Sequence, residues 1–97
     1  MRRDDALRIL GEHHEELVRE HHVLTLSIFG SVARDEAGPA SDVDVLVEFD
    51  RPVGLIAFAG LKLALEDWLG AKVDLATPSA LHPHLKASIL SEAIRAA

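Results

Sequence analysis

Cysteine is absent from the 97 residues, and its absence removes disulfides, thiolate metal sites and thiol nucleophiles together. No apolar run is long enough to cross a bilayer. The most apolar stretch, Val53 to Leu65, is too short and leads into Glu66 and Asp67. The opening Met1-Arg2-Arg3-Asp4-Asp5 lacks the apolar core of a signal peptide, so a cytoplasmic protein with no membrane role is expected. A basic patch is missing too. The formal net charge is −6, and the ten Lys and Arg residues are scattered. Phosphate contacts supply most of the affinity of proteins for DNA or RNA, so free nucleic acid is a poor candidate partner.

What is present is enough apolar material, 48% of residues, for a real core. The length suits one domain over 1–97, near the small end of what folds unaided. So short a chain buries a modest share of its surface, and a partner or second copy would add stability.

Leu7, Leu10, Leu17 and Val18 recur at helical spacing, with His14 on the same stripe, and predict one helix over 3–21. Residues 24–29 read as a buried strand stopping at Gly30, and 31–36 as a short helix before the turn-rich Ala37-Gly38-Pro39-Ala40-Ser41. Residues 42–49 alternate as a strand. Residues 55–69 form a long helix closed by Gly70, 72–76 a third strand, and Pro83 opens a last helix running to about Arg95. The order is α-β-α-β-α-β-α, an α/β (α+β) chain without repeats or linkers.

The chemistry lies in Phe29-Gly30-Ser31-Val32-Ala33-Arg34 and in Ser41-Asp42-Val43-Asp44-Val45. Strand alternation sends Asp42 and Asp44 to one face and Val43, Val45 and Val47 to the other. Two close carboxylates repel unless a cation lies between them, and Mg²⁺ prefers such oxygen donors. A solvated acidic strand end explains the pair equally well when it is taken alone. Gly30-Ser31 adds weight, because a strand running through Gly-Ser into a helix offers free backbone N–H groups to a phosphate. An ordinary N-cap serine is the competing reading. Asp74 interrupts the apolar Lys72-Val73-Asp74-Leu75 and would complete a carboxylate triad if its strand lies beside 42–49.

Gly30-Ser31 followed by Asp42-x-Asp44 resembles the signature of the DNA polymerase β-type nucleotidyltransferase superfamily. The longer run, Gly-Ser-x-Ala-Arg-x-Glu, Ser-Asp-x-Asp-x-Leu-Val-Glu-Phe and Lys-Val-Asp-Leu-x-Thr-Pro, resembles its minimal members, the MNT proteins, often antitoxins paired with a HEPN-domain toxin. The likeness spans about Leu24 to Ala93. It implies a small mixed sheet flanked by helices. It implies that Asp42 and Asp44 bind two Mg²⁺ ions, that Asp74 joins one of them and helps activate the acceptor hydroxyl, and that Gly30 and Ser31 hold the β- and γ-phosphates of ATP. The resemblance further suggests that Arg34 adds a charge-assisted contact to the triphosphate. Asp35 departs from the relatives, many of which carry glycine there, and is expected to point outward. The chain leaves no room for an acceptor-binding domain. The resemblance therefore suggests AMP transfer to a tyrosine hydroxyl on a HEPN toxin. A non-catalytic antitoxin acting by binding alone is the alternative, and a stand-alone transferase of a small metabolite a third reading.

Helix 55–69 has more apolar arc than one side of a small sheet needs. Phe58, Leu61, Leu65, Trp68 and Leu69 fill one flank and Ile56, Ala59 and Leu63 another. It is either sandwiched or partly a homo- or hetero-oligomeric interface, with Trp68 as the anchor in the second case. The six histidines lack zinc spacing and read as surface or half-buried residues.

Overall fold

The computed structural model describes residues Met1 to Ala97. The predicted helix over 3–21 is two helices, α1 (Arg3–Glu12) and α2 (His14–His21). They are broken at His13, whose φ of −101° and ψ of 15° leave the helical region. Leu10 and Leu17 are both fully buried. Being seven residues apart, they stay on one stripe whether or not the axis bends, so periodicity is blind to the break. The bend also changes which histidine faces inward: His14 is exposed, and the His13 ring stacks on Trp68 with centroids 3.9 Å apart and planes within 3°.

The sheet contains β1 (Val23–Phe29), β2 (Val43–Phe49), β3 (Val73–Ala76) and β4 (Ile94–Arg95), in the order β3-β2-β1-β4. β1 pairs antiparallel with β2 and β4, and β2 pairs parallel with β3. The parallel pair requires a crossover, supplied by α4 (Leu55–Leu69), which Gly70 ends in the left-handed conformation at φ +64°. A four-residue helix, α3 (Gly30–Ala33), follows β1 directly.

The core lies on one face of this sheet. Leu26 and Ile28 from β1 and Val43, Val45 and Val47 from β2 meet Ala6 and Leu10 of α1, Leu17 of α2, and Leu61 and Leu65 of α4, all fully buried. Each buried leucine contributes about 2 kcal/mol by leaving water.

The last helix, α5 (Pro83–Glu92), ends earlier than its expected limit near Arg95. Ala93 turns extended at ψ 134°, and Ile94 and Arg95 pair with Ile28 and Ser27 as a fourth strand absent from the predicted order. Leu26 extends this pairing through backbone bonds to Ala96 and Ala97. Two residues are too few to display an alternation, and Ala-rich sequence favours helix locally. The free edge of β1 decides the matter instead.

Candidate active site

The antiparallel register sets Phe29, the last residue of β1, opposite Asp44 near the start of β2. The parallel register sets Asp44 beside Asp74 and Val43 beside Val73. Val43 and Val73 are buried in the core, so alternation sends Asp44 and Asp74 to the sheet's opposite face. Asp42 immediately precedes β2. The sequence-predicted carboxylates, with Asp74 lying 30 residues beyond Asp44 along the chain, thus gather at one end of the sheet on the face away from the core.

Their electrostatics reflect that crowding. The Asp44 carboxyl is held above its ordinary pKa by burial first, then by the charges of Asp74 and Asp42, with Arg34 opposing them. Asp44 is half-buried, whereas Asp42 and Asp74 are exposed. The three do not close around a single point, since no group of three His, Asp or Glu side chains is arranged to chelate one ion. An all-oxygen donor set whose central member is destabilised as an anion fits a hard divalent cation such as Mg²⁺.

Gly30 adjoins this cluster directly. Its φ is +70°, a region glycine enters without penalty, and a Cβ built there would collide with Asp44 Oδ2. Backbone conformation and the carboxylate each demand glycine. The Gly30 N–H donates to Glu92 Oε1 at 2.9 Å.

Arg34 lies nearby with its guanidinium already engaged. Nε donates to Glu36 Oε2 and Nη1 to Glu92 Oε2, both at 3.1 Å. The Glu36 bond, followed by the Glu92 bond, raises its pKa above the ordinary value. Asp35 is exposed, as expected, and its Oδ1 accepts the Arg3 N–H at 3.0 Å. Its φ of +59° is a backbone state that favours glycine, which accounts for the glycine that the resemblance expects there.

Glu92 is the member of this neighbourhood that sequence reasoning missed. It sits at the end of α5, and a lone glutamate in a helix without a buried face gives no signal of its own. Only the return of the chain beside α3 and β1 brings it within reach of Gly30.

A concavity large enough for a small molecule lies elsewhere. A shallow cavity of about 810 Å³ is lined by residues such as Phe49, Pro52, Phe58 and Pro78, at the end of β2 opposite Asp42 and Asp44. At the acidic edge Asp42 and Asp74 are exposed.

Comparison with known proteins gives a consistent family. Residues 10–96 match the nucleotidyltransferase domain family. A candidate protein adenylyltransferase of Methanocaldococcus jannaschii is 45% identical over 78 residues, covering 80% of this chain and 84% of that protein. The protein adenylyltransferase MntA of Thermococcus cleftensis is 38% identical over 86 residues, covering 89% and 87%. A solved structure described as a candidate minimal nucleotidyltransferase superimposes with a TM-score of 0.80 at 41% identity, covering 97% of this chain and 95% of that one. The fold alone is shared with a chain of the tri-AMPylated Shewanella oneidensis HEPN toxin in complex with MNT antitoxin, with a TM-score of 0.65 at 18% identity and coverage of 94% and 71%. A four-stranded mixed sheet carrying its acidic residues at the end where Gly30 leaves β1, together with these matches, places the chain in the nucleotidyltransferase domain family, among its minimal, MntA-like members.

Proposed function

We propose that this chain is a Mg²⁺-dependent protein adenylyltransferase that transfers AMP from ATP to a tyrosine hydroxyl of a HEPN-domain toxin and thereby acts as its antitoxin. The observation that carries the reading is the in-register pairing of Asp44 with Asp74 beside Gly30. It unites oxygen donors for a cation with a glycine whose backbone N–H faces an anion at one edge of the sheet. Relatives named protein adenylyltransferase, and an AMPylated HEPN toxin bound to an MNT antitoxin of the same fold, support the acceptor class.

In this reading Asp42 and Asp44 hold the cation, and Asp74 joins them from the neighbouring strand. Magnesium bound there would supply charge neutralisation for the triphosphate and for departing pyrophosphate. Gly30 and Ser31 hold the β- and γ-phosphates, and Arg34, once free of its carboxylates, adds charge to that grip. Asp74 accepts the proton of the acceptor hydroxyl as its oxygen bonds to the α-phosphorus. The bond from that phosphorus to the bridging oxygen breaks, and pyrophosphate leaves. Exposure of this edge suits a bulky protein acceptor, which a closed pocket would exclude.

Leu55, Ile56 and Leu63 on α4 are 83%, 90% and 66% exposed, and we assign this apolar face to the partner. Trp68 is half-buried, with His13 stacked on it and His21 packed edge-on, so the exposed side chains of α4 carry this assignment in its place.

Binding without catalysis has one observation behind it: Arg34 is neutralised by Glu36 and Glu92. A single experiment separates the two readings. The chain, its HEPN partner, α-labelled ATP and Mg²⁺ are mixed, with an Asp42→Asn/Asp44→Asn variant in parallel. Label on the partner that vanishes in the variant is the expected result. A tight but unlabelled complex establishes the binding antitoxin instead.

A further inference from the structure

Resting on the nucleotide reading above, we propose that Glu92 is a displaceable internal anion: its carboxylate occupies the place of the ATP phosphates and is expelled when nucleotide binds. Its two oxygens are divided between two of the groups assigned to the triphosphate. Oε1 accepts the Gly30 N–H at 2.9 Å and Oε2 accepts Arg34 Nη1 at 3.1 Å. A backbone N–H directed at a carboxylate cannot serve a phosphate oxygen equally well, so the two anions compete for one set of donors.

Charge makes the arrangement releasable. Glu92 stands among carboxylates, close enough to act unfavourably on Asp44 alongside Asp42 and Asp74. Arg34 is the cation that offsets them, and it is shared with Glu36. A Mg²⁺-bound triphosphate brings its own cation to the aspartates and a stronger acceptor to Arg34 and Gly30. The repulsion then falls on Glu92.

The element bearing Glu92 is built to yield. No residue of α5 is buried, and Leu85 and Leu90 are 56% and 45% exposed. The helix leans on α3 and β1 without a core side chain, and the strand that follows it is two residues long. Local opening at such a segment costs little compared with opening the core. In the unliganded protein Glu92 satisfies the Gly30 donor and keeps Arg34 in place, which a ligand of single weak charge has little power to overturn.

The test measures binding of Mg²⁺·α,β-methylene-ATP, which cannot transfer AMP, to the wild-type chain and to Glu92→Gln by calorimetry. Glutamine keeps an oxygen for the Gly30 N–H but gives up the charge that holds Arg34. Nucleotide affinity is expected to rise about three- to tenfold, because the competing bound state is depopulated. Hydrogen exchange in the wild type provides a second readout that no variant is needed for: residues 83–92 are expected to exchange faster when the analogue is bound. Equal or weaker binding by a folded Glu92→Gln, with wild-type binding intact, overturns the displacement and makes Glu92 a brace or a nucleotide ligand. If the variant does not fold, unchanged or slower exchange across α5 in the wild type overturns it alone. Absence of analogue binding to the wild type defeats the nucleotide reading itself, and this inference with it.

Discussion

Position 30 is constrained twice over, by a left-handed backbone at φ +70° and by the Asp44 carboxylate lying where a side chain would begin. Gly30→Ala is therefore expected to cost about 2 kcal/mol or more, combining the left-handed penalty of about 1 kcal/mol with displacement of Asp44. In a domain of this size that lowers Tm by roughly 10 °C, and the displaced carboxylate also weakens Mg²⁺ binding, which titration of the metal against a folded sample checks. Asp44→Asn should do the opposite to stability. The raised pKa of Asp44 means that the folded protein binds its proton more tightly than the unfolded chain. This group's cost is fully present above the raised value and is relieved as pH falls through it. Asparagine removes that cost at neutral pH, so thermal denaturation without metal should give a Tm equal to wild type or a few degrees higher. Adding Mg²⁺ should then stabilise the wild type and leave the variant unmoved. Activity should fall in both variants, for opposite structural reasons. The sequence singled out Asp44, Asp74 and Gly30 because each interrupts a pattern: a carboxylate in an apolar strand, or a glycine between a strand and a helix; the structure brings these three together at one end of the sheet. Glu92 interrupts nothing, and its place beside Gly30 follows from contacts 62 residues apart.

Among the elements, α4 was the most legible. Its bounds and its glycine terminator agree with the sequence reading, because a long run of strong helix formers ending in Gly carries its own start and stop. Its two apolar flanks were also readable. Which of them the sheet covers was open, and Leu61, Leu65 and Leu69 prove to be the buried side. Leu55, Ile56 and Leu63 are left in water, so Ile56→Asp and Leu63→Asp should change Tm by less than about 3 °C. If this face receives the HEPN partner, either substitution weakens that complex at least about tenfold, measurable by titration calorimetry; unchanged affinity would place the partner on another face. The shorter elements were less legible. The break at His13 hides inside an intact heptad spacing, and β4 hides inside a segment with helical propensity. In both cases a tertiary contact overrode a local preference: Trp68 against His13 in the first, the open edge of β1 in the second.

For the whole molecule, the division follows the range of the interactions involved. Residue order alone determined the alternation of β2, the glycine at the β1–α3 junction, the crossover helix and the apolar surplus of α4, because each depends on neighbours within a turn or a strand. It also determined the chemistry on offer: oxygen donors, no thiols and no helix long and apolar enough to cross a membrane. The tertiary structure decided what those groups face. Parallel pairing of β2 with β3 set Asp74 beside Asp44 in register, a pairing that the 29 intervening positions left open, because a slip of one residue would have turned Asp74 into the core. It decided that α5 stops at Glu92 and that Ile94 and Arg95 complete the sheet, since the backbone donors and acceptors on the edge of β1 must find partners. And it decided that Arg34 and Gly30 meet a carboxylate of their own chain, an encounter between charges that only the closed chain brings together.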